Sequence, residues 1–139
     1  TTLFRSSYSS DDHNPCYSMS NSTVSMIGCT QESKGEGIVV KNSILELSGD
    51  YEAHIYDTTK NVTYIKASDG SYVSAKGCIF RLSNYMKKKV PDSNLFEVYD
   101  SSRIELEGKV VHGTGVKILK SNNARMTMNG RSLKNGLNP

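Results

Sequence analysis

The chain has 139 residues, a mass of 15.3 kDa and a formal net charge of +3. That is the length of one domain or of a piece of a larger one; with 36% hydrophobic residues and a mean hydropathy of −0.48, any core must be thin or efficiently used. No apolar run approaches the roughly 18 residues of a membrane helix, and a charge this small is short of the clustered basic face of a nucleic-acid binder, so neither membrane insertion nor nucleic-acid binding is expected.

In chain order, residues 1–20 are rich in Ser and Asp and read as an entry segment. The start at Thr1, without an initiator Met, suggests a processed product or an excised fragment. At 21–28 the chain reads NSTVSMIG, and this phrase returns as NSILELSG at 42–49, GSYVSAKG at 70–77, SSRIELEG at 101–108 and NARMTMNG at 123–130. Between the copies lie further apolar stretches. Residues 35–40 (GEGIVV) match 113–118 (GTGVKI), with 54–56 (HIY) and 95–98 (LFEV) taken as their equivalents. Insertions fall at 57–69, with an extra strand expected near 62–65, and at 81–94, where Pro91 and polar flanks point to a protruding loop. Residues 131–139 read as a C-terminal tail, frayed or linking to further chain. No segment has convincing helical periodicity.

The repeated phrase is a small polar residue, Ser or Ala, any residue, apolar, polar, apolar, any residue, Gly. Its apolar columns are Val24, Leu45, Val73, Ile104 and Met126, then Met26, Leu47, Ala75, Leu106 and Met128. Alternation with period two puts both columns on one face of a strand and Ser25, Glu46, Ser74, Glu105 and Thr127 on the other. The closing glycine suits a turn with positive φ or a tight corner. The glycines are spaced by 21, 28, 31 and 22 residues, a period of 20 to 22 with two insertions. Two or three short strands per such period is the arithmetic of a parallel β-solenoid, in which like residues stack in columns. Leucine-rich repeats lack support because their own motif is missing, and a β-sandwich gives no reason for one phrase to recur five times.

The stretches 37–49 and 115–130 resemble the right-handed parallel β-helices of the pectin-lyase-like superfamily, over roughly residues 20–130. The resemblance implies an all-β right-handed parallel β-helix of about five coils, with its domain at 21–130, belonging to a longer or oligomeric spike. Such coils are common in bacteriophage tailspikes and viral appendages, and also in polysaccharide hydrolases and lyases. The leading expectation is therefore a structural and host-attachment portion of a viral tailspike or fibre. It would form a homotrimer on the virion surface and bind a cell-surface polysaccharide or another receptor. The alternative is a carbohydrate-active enzyme or a fragment of one.

Candidate chemistry is sparse. Glu46 and Glu105 share the outward column two copies apart, so roughly 9–10 Å separates their Cα atoms, a spacing that suits an inverting glycosidase; the favoured reading is that they merely mark the solvent face. His112-Gly113 resembles a step in polygalacturonase-like enzymes and Asp11-Asp12 their paired aspartates, but Asp11-Asp12 precedes the repeats and the family's Asn-Thr-Asp and Arg-Ile-Lys motifs are missing. Tyr72 should face outward by alternation. With Arg81, Tyr85, Lys87 and Lys88, all four on the protruding insertion, it forms a candidate ligand-binding surface, and Tyr56, Tyr64 and Tyr99 are further tyrosines available to it. The run 87–89 otherwise reads as a solvated loop tip. No metal ligand set and no cofactor motif is present. Cys16, Cys29 and Cys78 contain no C-x-x-C pair and are odd in number, so they read as small buried or turn residues of a chain made in a reducing host cytoplasm.

Overall fold

The structure, a computed structural model, describes residues 2–4, 7–10, 15–33, 36–55, 63–82, 93–111 and 115–139. Every regular element among them is a strand: β1 Thr2–Phe4, β2 Ser7–Ser10, β3 Tyr17–Ser20, β4 Thr23–Ile27, β5 Thr30–Ser33, β6 Glu36–Lys41, β7 Ile44–Ser48 and β8 Glu52–Ile55. They continue as β9 Thr63–Ser68, β10 Tyr72–Leu82, β11 Phe96–Val98, β12 Arg103–Val111, β13 Val116–Lys120, β14 Arg125–Met128, β15 Arg131–Ser132 and β16 Gly136–Asn138.

The strands form two sheets. The first runs β1-β4-β7-β10-β12-β14-β15, with β2, β5 and β8 joined in order to the second half of β10. The second runs β3-β6-β9-β11-β13-β16. All pairings are parallel except the last in each sheet, β14 with β15 and β13 with β16. Parallel neighbours in a sheet are one repeat apart in sequence, because the chain crosses to the other sheet and back between them.

Register follows the repeated phrase. Val24 pairs Leu45, Leu45 pairs Val73, Val73 pairs Ile104 and Ile104 pairs Met126. All five are buried, as are Met26, Leu47, Ala75 and Leu106 beside them. The second sheet contributes the columns Met19, Val40, Ala67, Val98 and Ile38, Ile65, Phe96, Ile118. Both sheets supply one hydrophobic cluster. Phe80 packs within it at 5.1 Å from the Tyr64 ring and 5.4 Å from the Phe96 ring, centroid to centroid. At roughly 1.5–3 kcal/mol for each large apolar side chain removed from water, this narrow column offsets much of the entropy cost of ordering so many short strands.

The bend that leads from the second sheet into the first has its own repeating chemistry. Asn21 and Asn42 hold φ of 52° and 43°, the left-handed region that Asn tolerates better than most side chains. The next residue forms a ladder. Ser22 N–H donates to Ser43 Oγ, Ser43 N–H to Ser71 Oγ, and Ser71 N–H to Ser102 Oγ, at 3.0–3.1 Å. Ser43 and Ser71 hydroxyls donate in turn to the Lys41 and Ser68 carbonyls at 2.6 Å. The buried polar groups of this ladder are thereby paired, as most buried hydrogen-bonding groups are.

Several expectations need correction. Residues 54–56 do not match 95–98: His54 lies on β8 in the first sheet, and the true equivalent is β9, within the expected insertion. The entry segment contains β1 and β2, which pair parallel with β4 and β5, and β3 of the second sheet. Residues 131–139 are not frayed, since they supply both antiparallel strands. Gly108 stands opposite Cys78, not Gly77, across a register shift in β10. A Cβ on Gly108 would sit 2.2 Å from the Cys78 carbonyl oxygen, so this glycine serves a close approach rather than a turn.

A candidate ligand groove along the bends

The stacked bends leave a groove on the surface. One part encloses about 690 Å³ and is lined by Asn21, Ser22, Thr23, Asn42, Ser43 and Ile44 up to Gly70. From Gly70 a second part of about 290 Å³ continues past Tyr72, Ser101, Arg103, Asn123 and Arg125. The repeat explains this composition. Position one of each phrase supplies Asn21, Asn42, Gly70, Ser101 and Asn123. Position three supplies the register column Thr23, Ile44, Tyr72, Arg103, Arg125.

The first part is neutral. Asn42 Nδ2 donates to Asn21 Oδ1 at 2.6 Å, which fixes both amides, and Ile44 beside them is half exposed. The second part carries charge. Tyr72 Oη donates to Glu105 Oε2 at 2.8 Å, and Arg103 Nε lies 3.3 Å from Glu105 Oε1. The Arg103 guanidinium also sits over the Tyr72 ring, 4.4 Å from its centroid, a cation–π contact worth about 0.5–1 kcal/mol at an exposed site. The hydrogen bond to Glu105, and then burial, raises the Tyr72 phenol above its ordinary range. Asn123 Nδ2 donates to Ser101 Oγ at 2.9 Å, while Ser121 Oγ donates to Asn123 Oδ1 at 2.7 Å. These are the groups of a polar recognition surface: amides and hydroxyls held by their neighbours, a half-covered aromatic ring and guanidinium forks.

The residues singled out in the sequence fall in different places. Glu46 is exposed and Glu105 is half-buried, with Ser74 paired between them in register. Both oxygens of Glu105 are engaged by its own neighbours, so the pair is not two free carboxylates facing each other. Tyr72 does face outward, into the groove. Arg81 lies on the third run of strands, opposite His54, and its Nε is 2.7 Å from Glu52 Oε1. It shares no site with Tyr72. Tyr85, Lys87, Lys88 and His112 lie outside the described residues, as does Tyr56. Tyr64 is not a surface residue: it is 1% exposed within the aromatic core. Tyr99 donates to Glu97 Oε1 at 2.5 Å, away from the groove.

Arg103, Arg125 and the bend asparagines line the groove but were not singled out in the sequence. Their signal was present, because positions one and three of the phrase flank the apolar column, but those positions were read only as bend makers and variable residues. Among the described residues no three His, Cys, Asp or Glu side chains gather as a metal site. Cys16, Cys29 and Cys78 are free thiols, all buried. Burial pushes the Cys16 and Cys78 thiols up to about 12, far from the values of reactive cysteines.

No family model matches this chain, and neither a curated protein nor a solved structure does.

Proposed function

We propose that this chain is a β-helical portion of a viral tailspike or fibre of the bacteriophage type, which binds a host-surface polysaccharide along its row of bends. On this reading each passage through second sheet, first sheet and turn is one coil of a right-handed parallel β-helix. The working assembly is a homotrimer on the virion surface. The observation that carries the proposal is the groove itself. A solenoid stacks equivalent residues at about 4.8 Å, so a polymer laid along the bends meets a bend residue at each coil, with an amide or hydroxyl at Asn21, Asn42, Ser101 and Asn123 and bare backbone at Gly70. That repetition suits a polysaccharide better than a single small molecule, for which a deep apolar pocket would be expected.

The enzyme reading keeps one observation in its favour, the in-register placement of Glu46 and Glu105 on either side of Ser74. Inverting glycosidases hold their carboxyls roughly 6.5–9.5 Å apart around a water, but the Tyr72 and Arg103 contacts occupy Glu105. Light scattering at micromolar concentration and a saccharide-turnover assay on the same preparation separate the two. A stable trimer without turnover is the expected result. A monomer that cleaves polysaccharide, and stops doing so on Glu46→Gln substitution, would replace the attachment reading with the enzymatic one.

A further inference from the structure

Arg103 and Arg125 are direct register partners on β12 and β14. Their Cα atoms are therefore about 4.8 Å apart, on the same face of the sheet. Like charges directly opposite each other on adjacent strands are destabilising. The outward column beside them does not balance the pair. Glu105 answers Arg103, but the position that pairs Glu105 on β14 is Thr127, so Arg125 has no carboxylate there. Among the described residues Arg125 makes no ion pair. Arg103 spends its Nε on Glu105, which leaves the two terminal nitrogens of its fork for another acceptor. Both arginines line the same part of the groove as Ser101 and Asn123.

We infer that this end of the groove is a subsite for an anionic group, a carboxylate or a phosphodiester, carried by the polysaccharide, and that Arg103 and Arg125 hold it between them. The inference rests on the attachment reading and adds the charge of the ligand to it. A guanidinium fork matches planar and tetrahedral oxyanions with two parallel N–H···O bonds, and an anion between the two arginines removes their mutual repulsion. The neutral stretch from Asn21 to Gly70 then takes the hydroxyls of the sugars that follow along the chain.

The test is binding of the full chain to three polymers: neutral dextran, polyglucuronate and poly(glycerol phosphate). One or both acidic polymers are expected to bind more tightly than dextran, with an affinity that falls as salt rises. Whichever acidic polymer binds identifies the acid as carboxylate or phosphodiester. Arg125→Gln and Arg103→Gln are each expected to weaken that binding about tenfold, the loss typical of a charge-assisted hydrogen bond. Arg125→Lys should recover part of it by restoring the charge without the fork. Arg131→Gln, whose Nη2 contacts the Pro139 carbonyl outside the groove, should change nothing. Equal melting temperatures across the set separate loss of contact from loss of fold. Tighter binding to dextran, or binding to an acidic polymer that is insensitive to both glutamine variants, overturns the subsite and leaves the attachment reading standing. Failure to bind either acidic polymer also overturns it; the attachment reading is then judged separately, by the mass and turnover of the native chain.

Discussion

The serine ladder shows how single positions carry the bends. Ser71 Oγ accepts from Ser43 N–H and donates to the Ser68 carbonyl, all within a buried corner. Ser71→Ala strands the Ser43 amide, so a loss of about 1–3 kcal/mol is expected in urea unfolding, the range for an unpaired buried polar group. A change below about 0.5 kcal/mol would mean that the backbone re-pairs without the hydroxyl. The last copy shows how that could happen: it carries Ala124, and there Ser102 N–H turns to the Tyr99 carbonyl and Ala124 N–H to the Ser121 carbonyl. The thiols give a pH prediction at the same scale. Cys16 and Cys78 titrate near 12 when folded, against an ordinary value of 9.0. The unfolded chain releases these protons first, so stability is at its full value below pH 9 and declines as pH rises from about 9 towards 12. Unfolding midpoints measured between pH 8 and 11 should fall over that range, and Cys16→Ser/Cys78→Ser should flatten the decline. A slope that persists unchanged in the double variant would assign it to other groups, such as the buried phenol of Tyr51.

At the level of strands, the sequence was most legible where alternation and turn chemistry agreed. β4, β7, β10, β12 and β14 carry two inward apolar residues, one outward polar residue between them and a glycine beyond, and their mutual register follows from that phrase alone. β9 was misplaced for a physical reason. Thr63, Tyr64 and Ile65 are all buried, so the strand opens without the period-two signal and reads as part of an insertion. Gly108 shows a similar limit: its place in the phrase is that of a turn glycine, yet it serves a backbone contact with Cys78 that only the register shift in β10 creates. β15 and β16 are two and three residues long with a single buried apolar side chain, Leu133, between them, too little for any periodicity. For the groove, alternation yields the outward face of Tyr72, because it gives the face a residue occupies but not its neighbours. The Arg103 and Arg125 pairing follows from the aligned phrase, but the groove they share needed the stacking of the bends, as did the Asn21 and Asn42 contact.

At the C-terminal end of the molecule the strand direction changes. A parallel stack presents unpaired N–H and C=O groups at its last strands, a template for further pairing. Here β15 and β16 lie antiparallel on the edges of β14 and β13, which interrupts the parallel order. Leu133 is buried beneath them. Asn138 fastens the segment with its side-chain amide: Nδ2 donates to the Lys134, Gly136 and Val116 carbonyls, and Oδ1 accepts from Lys134 N–H. Removing residues 131–139 uncovers both edges along with the apolar column that ends at Met126, and loss of the Leu133 side chain alone is worth about 2–5 kcal/mol. The truncated chain is therefore expected to melt lower than the intact one and to form larger species that grow with concentration, as seen by light scattering. Leu133→Ala should reproduce the lower melting temperature while keeping the mass of the intact chain, since β15 and β16 would still occupy the edges. Truncation that left both mass and melting temperature unchanged would show that these strands cover nothing that needs covering.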